Sequence, residues 1–240
     1  MKIMLMNAKR RRLADTFIYD TFFVFLMKYA LIVNPAAKSG KSRQALPKIK
    51  SFFRRKKLKL EVMPTRAKGD ATILAKKASK KGFDIVIAGG GDGTINEVVN
   101  GIAGTDSALG IIPLGTTNVL AIELKVPLDE VEASRFIFTT EPKKLDIGKV
   151  NGRFFLSWTG IGLHSHMIKE TEDIPMLKKI FGKIAYPMTG LKTLLTYSPT
   201  KMSVNADKKH YNGYFVLVGN IKYYGGKFRV LPRASTNDGL

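Results

Sequence analysis

Apolar positions along the first half of the chain fall into short continuous runs, separated by stretches with helical spacing. Ala30 to Val33 (ALIV), Asp84 to Ala88 (DIVIA) and Ala108 to Ile112 (ALGII) are such runs, and each predicts a strand buried on both faces. Leu58 to Met63 alternates and predicts another strand. Helical spacing predicts helices from about Gly40 to Phe53, Asp70 to Lys81 and Thr94 to Ile102. Strands alternating with helices predict a parallel α/β sheet with right-handed crossovers.

After about residue 140 the pattern changes. Leu145 to Val150, Arg153 to Trp158, Met202 to Ala206, Tyr211 to Gly219 and Phe228 to Leu231 read as strands. Asn151-Gly152 is a hairpin turn signal. Residues from about Pro175 to Tyr197 read as a helical insert. The fold class is therefore α/β: an N-terminal parallel-sheet, three-layer domain, then a β-rich antiparallel second domain. Residues 28–140 form the first and 141–240 the second, with the boundary at Glu141-Pro142. Residues 1–27 are an extension of little structural role, because MKYALIVNP from Met27 opens directly on the first strand.

Composition narrows the class. Apolar residues make up 45% of the 240, too many for a disordered chain. The absence of cysteine excludes disulfides and thiolate metal sites and fits a reducing compartment. No stretch reaches the roughly 18 apolar residues of a membrane span. The run FFVFLM (22–27) behind a basic start resembles a signal peptide only faintly, since Asp15 and Asp20 interrupt it. The expected location is cytoplasmic, with peripheral membrane association. The net charge of +21 attracts phosphates, whether of nucleotides, nucleic acids or lipid headgroups. Lys48 to Lys59 holds seven basic residues and no acid. By itself that is the solvated end of a helix; a patch facing a membrane or nucleic acid is the sharper alternative. A nucleic-acid partner is not expected, because no recognition motif accompanies the charge.

Three loops carry candidate chemistry. Pro35 to Ser42 (PAAKSGKS) is one residue short of a P-loop, with proline where the first glycine belongs. The turn at Ser39-Gly40 still offers amides, a hydroxyl and a cation at a helix start, although Ser39 as a simple helix cap competes. GGGDGT (89–94) lacks the third glycine of a dinucleotide fingerprint, since Thr94 stands there. Its bare backbone lets amides approach phosphates. An acid beside phosphates needs a purpose: ordering a metal, taking a proton, or capping the helix. PLGTTN (113–118) supplies further amides and hydroxyls. Loops after adjacent parallel strands open at one sheet edge, so these should converge together with Thr65.

NPAAKSGK, GGGDGTINEVVNGI, PLGTTNVLA and NDGL resemble, in order and spacing, the diacylglycerol kinase catalytic family, which includes bacterial lipid kinases and sphingosine and ceramide kinases. GGDGT alone also suits NAD kinases and 6-phosphofructokinases. The resemblance covers about Lys28 to Leu240. It implies ATP and magnesium as cofactors and a lipid hydroxyl as acceptor. Asn34, Pro35, Ser39, Gly40, Thr65, Gly90, Gly91, Asp92, Gly93, Thr94, Ile95, Asn96 and Thr116 would surround the nucleotide. Asp92, the candidate catalytic residue, would order the magnesium–phosphate network. Asp146 matches an acidic position near the cleft, and Asp238, with carbonyls of Ser235 and Leu240, would hold a structural magnesium.

Two departures accompany the resemblance. The family's proposed general base, a glutamate, falls beyond Leu240, so no residue here takes that role and the chain is expected to be truncated. His164 stands where an acid is common in the family's GIGFDA segment, and a metal pair of His164 with His166 lacks a third ligand. The expected function is an ATP- and magnesium-dependent lipid kinase at an anionic membrane surface, with a homodimer left open. The alternatives are an NAD kinase-like phosphotransferase or a catalytically incomplete nucleotide-binding fragment.

Overall fold

The computed structural model describes residues 2–5, 27–140, 143–162, 165–166, 197–206, 208–226 and 228–239, with the backbone alone for Lys2–Leu5, Lys38, Ser39 and Lys41. The helical insert expected at 175–197, apart from its last residue Tyr197, and His164 lie outside these residues. Strand β1 is Lys2–Leu5 and β2 is Tyr29–Val33. A 3-10 turn at Ala37–Gly40 leads into α1, Lys41–Arg55. Then follow β3 Leu60–Pro64, α2 Asp70–Lys80, β4 Ile85–Gly90, α3 Asp92–Ile102 and β5 Ala108–Pro113.

The four strands β3-β2-β4-β5 form one sheet in that order, all parallel. Every residue of β2, β4 and β5 is buried, as their unbroken apolar runs demand. Helices α2 and α3 cover one face and pack closely on each other. On the other face α1 packs against a helix that periodicity alone did not reveal, α5, Glu130–Thr139. Its start was legible: Asp129 accepts from the amides of Val131 and Glu132, an N-cap in sequence as well as in space. A single-turn helix, α4, Val119–Glu123, was also missed, because five residues are too few to show a period.

The core is aromatic where α1 and α5 meet the sheet. The Tyr29, Phe53 and Phe138 rings pack edge to face at 5.2 to 5.6 Å. Phe52 stacks on Phe138 at 5.8 Å. Phe52 and Phe53 of the basic segment therefore serve the core, while Lys50, Arg54 and Arg55 beside them remain exposed. Burial pushes the Tyr29 phenol well above its ordinary range, and the charge of Asp84 adds to the rise.

The second half is antiparallel, as expected, but its strands are shorter. Leu145–Val150 divides at Ile147 into β6 Lys143–Asp146 and β7 Gly148–Val150. Arg153–Trp158 ends early as β8 Arg153–Phe155, and β9 runs Trp158–Gly162. Tyr211–Gly219 divides at Tyr214 into β11 Lys209–Gly213, which pairs with β10 Met202–Ala206, and β12 Phe215–Gly219, which pairs with β9. Tyr223–Tyr224 and Phe228–Arg229 form the small pair β13 and β14. The Asn151-Gly152 turn closes the β7–β8 hairpin with φ of 47° and 80°, the left-handed pair that such a turn requires. Leu145, Ile147, Leu156 and Ile221 are buried and join the core of the first half.

The expectation that the N-terminal segment has little structural role needs correction at Lys2–Leu5. Lys2–Leu5 pairs antiparallel with Lys143–Asp146 and also lies against β5. The edge of β6 offers unpaired backbone groups, and an extended segment satisfies them.

Helix α3 meets α2 at Gly101, where a methyl group would stand 2.5 Å from both Ala75 Cβ and the Thr72 carbonyl oxygen. Replacing glycine by alanine inside a helix ordinarily gains about 1 kcal/mol. Here the contact is with backbone, so overpacking wins. Gly101→Ala is expected to lower stability by about 1 to 3 kcal/mol in urea denaturation; a gain in stability would contradict the packing account.

Candidate functional site

The strands hand their loops to one edge of the sheet by continuing the ladder past their ends. The Asn34 amide donates to the Gly89 carbonyl, Thr65 to Val33 and Leu114 to Gly90. Three loops and Thr65 therefore converge, as the strand order required. Within the first loop the Asn34 side chain accepts from the Ala36 amide at 2.9 Å, and buried Ser42 donates its hydroxyl to the Pro35 carbonyl at 2.8 Å. Gly40, at φ 90°, turns the chain into α1, a conformation that favours glycine. The side chain of Ser39 lies outside the described atoms.

The glycines of GGGDGT have separate duties. A side chain on Gly89 would meet Leu31 at 2.9 Å, and one on Gly90 would meet Thr94 at 2.4 Å. Gly91 and Gly115 face each other across two loops, and a methyl group on Gly115 would stand 2.3 Å from Gly91 Cα. These glycines let loops approach one another. Gly93 differs: no atom of a described residue lies within 4 Å of its missing side chain, and it is exposed on the first turn of α3. The backbone there is open to a ligand, and the first-turn amides of a helix have no intrahelical partners.

Asp92 is the first residue of α3, two residues before the expected helix start. Its carboxylate reaches the neighbouring loop. One oxygen accepts from the Thr117 hydroxyl at 3.0 Å and the Val119 amide at 3.1 Å, and the other accepts from the Leu120 amide at 3.1 Å. Asp92 therefore caps α4, where the local candidate Asn118 cannot. The Asn118 side chain is turned back onto Gly115, bonding its amide at 2.9 Å and its carbonyl at 3.0 Å. The capping alternative for Asp92 thus holds for a different helix from the one weighed in sequence.

Other candidates divide by what they can still offer. Ile95 is fully buried and its amide donates to the Gly91 carbonyl, so neither its side chain nor its N–H is available to a nucleotide. This corrects the expectation for that residue. Pro35 has no N–H, and its carbonyl is taken by Ser42. The Thr94 side chain is buried against Gly90, while Thr65 and Thr116 are half-exposed at the loop edge. Asn96 Oδ1 is buried and has no hydrogen-bond partner among the described residues, an arrangement that invites a donor from a ligand or water.

Sequence reasoning missed Glu97. Its carboxylate accepts from the Gly69 amide at 3.0 Å and the Ala71 amide at 3.2 Å, so α3 holds the start of α2 and the loop after Thr65. The signal was an acid in the second turn of α3, facing the neighbouring helix start. Asn100 was missed too. Its amide bonds both the N–H and the carbonyl of Phe154, at 2.9 Å each, and ties α3 to the second half.

The acidic candidates of the second half meet in one place. Buried Asp146 accepts from the Gly239 amide and donates its own N–H to the Thr236 carbonyl at 2.7 Å. Asn220 donates to the Asp146 carbonyl at 2.7 Å and the Leu156 carbonyl at 3.2 Å. Asp146 thus anchors the Asn237-Asp238-Gly239 turn. Ser235 donates its hydroxyl to Asn237 Oδ1 at 2.8 Å. Asp238 is exposed, and Leu240 lies outside the described residues. Among the described residues no three His, Asp or Glu side chains form a metal cluster. The donors at 235–238 are one carboxylate and carbonyls, a hard oxygen set whose chemistry fits magnesium or calcium.

Two alanine substitutions separate the glycine roles. Gly115→Ala is expected to cost about 1 to 3 kcal/mol by forcing the loops apart. Gly93→Ala is expected to add up to about 1 kcal/mol, since it places alanine in a helix with room to spare. Thermal or urea unfolding checks both, and a loss of stability at Gly93 would contradict the open face.

Residues 28–150 match the diacylglycerol kinase catalytic domain, and residues 159–240 match the YegS C-terminal NAD kinase beta sandwich-like domain. The chain is 36% identical over 221 residues to a diacylglycerol kinase of Bacillus subtilis (strain 168), covering 89% of this chain and 72% of that protein. It is 34% identical to one from Staphylococcus haemolyticus (strain JCSC1435), covering 87% of this chain and 64% of the relative. Its fold is similar to the crystal structure of a diacylglycerol kinase from Bacillus anthracis str. Sterne, with TM-score 0.67 and 32% identity, covering 88% of this chain and 70% of that one. The parallel sheet with its converging glycine loops, the antiparallel half that follows and these likenesses agree: the chain belongs to the diacylglycerol kinase catalytic domain family.

Proposed function

We propose that this protein transfers the γ-phosphoryl group of ATP, with magnesium, to the hydroxyl of a diacylglycerol-like lipid. The observation that carries the reading is the convergence of Asn34–Gly40, Thr65, Gly90–Asn96 and Gly115–Asn118 at one sheet edge, with an open glycine on the first turn of α3. Free amides at Gly93 and Thr94 suit phosphate oxygens, and the positive end of α3 favours their charge. Asp92 holds Thr117 and α4 in register with these amides, so the Thr116–Thr117 edge closes on the same ligand. Phosphoryl transfer needs little covalent help from protein; it needs alignment and charge neutralisation. A magnesium ion, when bound, would supply part of that neutralisation. Asp238 and the Ser235 carbonyl would hold a structural cation in the turn that Asp146 anchors.

The lipid reading draws on the names of the relatives and on the surface. No helix among the described residues is long and apolar enough to cross a membrane. Lys76, Lys77, Lys80 and Lys81 lie around the exposed Ile73 on α2. In the second half Ile161, Phe215 and Val218 expose apolar surface on the β9–β12 pair. Cations beside exposed apolar groups suit an anionic bilayer that presents the acceptor lipid.

The test is transfer of label from ATP with magnesium into vesicles holding diacylglycerol and an anionic lipid, with NAD as a soluble acceptor in parallel. Label in the organic phase, reduced about tenfold to a hundredfold by Asp92→Ala through misalignment, is the expected result. Transfer to NAD without lipid would move the protein to the NAD kinase reading. ATP binding with transfer to neither acceptor would contradict the proposed activity. Vesicle binding that persists undiminished in 1 M salt would contradict the electrostatic part of the docking.

A further inference from the structure

We infer that Glu123 is a positioning residue that couples the glycine loop to the segment 220–239 of the second half. Glu123 ends α4, and its side chain is only 9% exposed. A carboxylate at the C-terminal end of a helix opposes the helix dipole, and burying one costs still more unless donors meet it. The donors come from across the domain boundary. Glu123 Oε2 accepts from the Lys222 amide at 2.9 Å, and the Lys222 ammonium stands 3.9 Å from Oε1.

The contacts continue outward from Lys222. Its carbonyl accepts from the Val230 amide at 3.0 Å and the Leu231 amide at 3.4 Å, and the Leu231 carbonyl accepts from Ala234. The chain then reaches Thr236 and Gly239, which Asp146 holds. At the other end of α4 the Asp92 carboxylate caps Val119 and Leu120. A single helical turn, with Leu120 and Ala121 buried, thus has a carboxylate at each end. Asp92 comes from the glycine loop, and Glu123 goes to the second half. One turn of helix moves as a unit, so a shift at Asp92 is carried to Lys222. Asp92 and the turn holding Asp238 are thereby kept in a fixed relation without touching.

The coupling itself does not depend on the kinase reading; its catalytic consequence does. Hydrogen exchange is measured on the full chain without ligand. Glu123→Ala is expected to speed exchange of the Lys222 amide about tenfold. Glu123→Gln, whose amide oxygen accepts the same N–H, should restore most of the protection. Asp92→Asn, which touches no atom of Lys222, should speed the same amide, while Ile85–Ala88 in the core keep the wild-type rate. Unchanged Lys222 exchange in Asp92→Asn would overturn the coupling. Equal acceleration of the core amides would overturn it too, by showing general destabilisation.

With lipid and ATP, Glu123→Ala should lower kcat about tenfold and leave the KM for ATP within about twofold, with Glu123→Gln near wild type. A parallel rise in the KM for ATP would refute the positioning role. If the wild type phosphorylates no lipid, the kinase reading fails and the exchange measurement alone decides the coupling.

Discussion

The carboxylate of Asp92 is the interaction on which the site depends. Two loops from adjacent strands approach so closely that Gly91 and Gly115 leave no room for a side chain between them. Backbone that bare has little packing of its own to hold it. Asp92 supplies the hold, with three hydrogen bonds to a charged acceptor, each stronger than its neutral counterpart. The same geometry frees Asn118 to close its own turn and starts α4 in the right direction. An acid beside phosphates looks electrostatically wrong in sequence. In the proposed site it would be tolerable, because its charge is already met by two amides and a hydroxyl within the protein.

Below this lies the sheet. β2 and β4 are buried throughout, and their order fixes which loops can meet. This much was legible in the sequence, because unbroken apolar runs alternating with helical periods admit few arrangements. The three glycine-bearing loops were legible for the same reason. The individual duties of the glycines were not. Gly89, Gly90, Gly91 and Gly93 look alike in sequence, yet one faces a strand, one a threonine, one another glycine and one open space. Only the three-dimensional neighbours distinguish them.

The misses share a cause. α4 is one turn long, and its cap comes from a residue 27 positions away. Glu97, Asn100 and Glu123 act across helix or domain boundaries, where no local pattern records the partner. The motif Gly90–Asn96, taken as a block, points to Ile95 as well. Helical geometry turns every third or fourth residue inward, and Ile95 is one of them. In the second half, single residues such as Ile147 and Tyr214 break strands that hydrophobicity alone had joined. The basic segment after Lys48 resolves into two functions at once, with rings inward and cations outward.

The central claim is that loops from four parallel strands make one nucleotide site. Backbone amide shifts of the full chain, followed by NMR as magnesium-ATP is added, test it most directly. Gly40, Thr65, Gly93, Thr94 and Thr116 are expected to shift together with one dissociation constant, and Gly93→Ala to weaken binding without unfolding the chain. Shifts confined to the exposed lysines of α2, or a response from one loop alone, would contradict it.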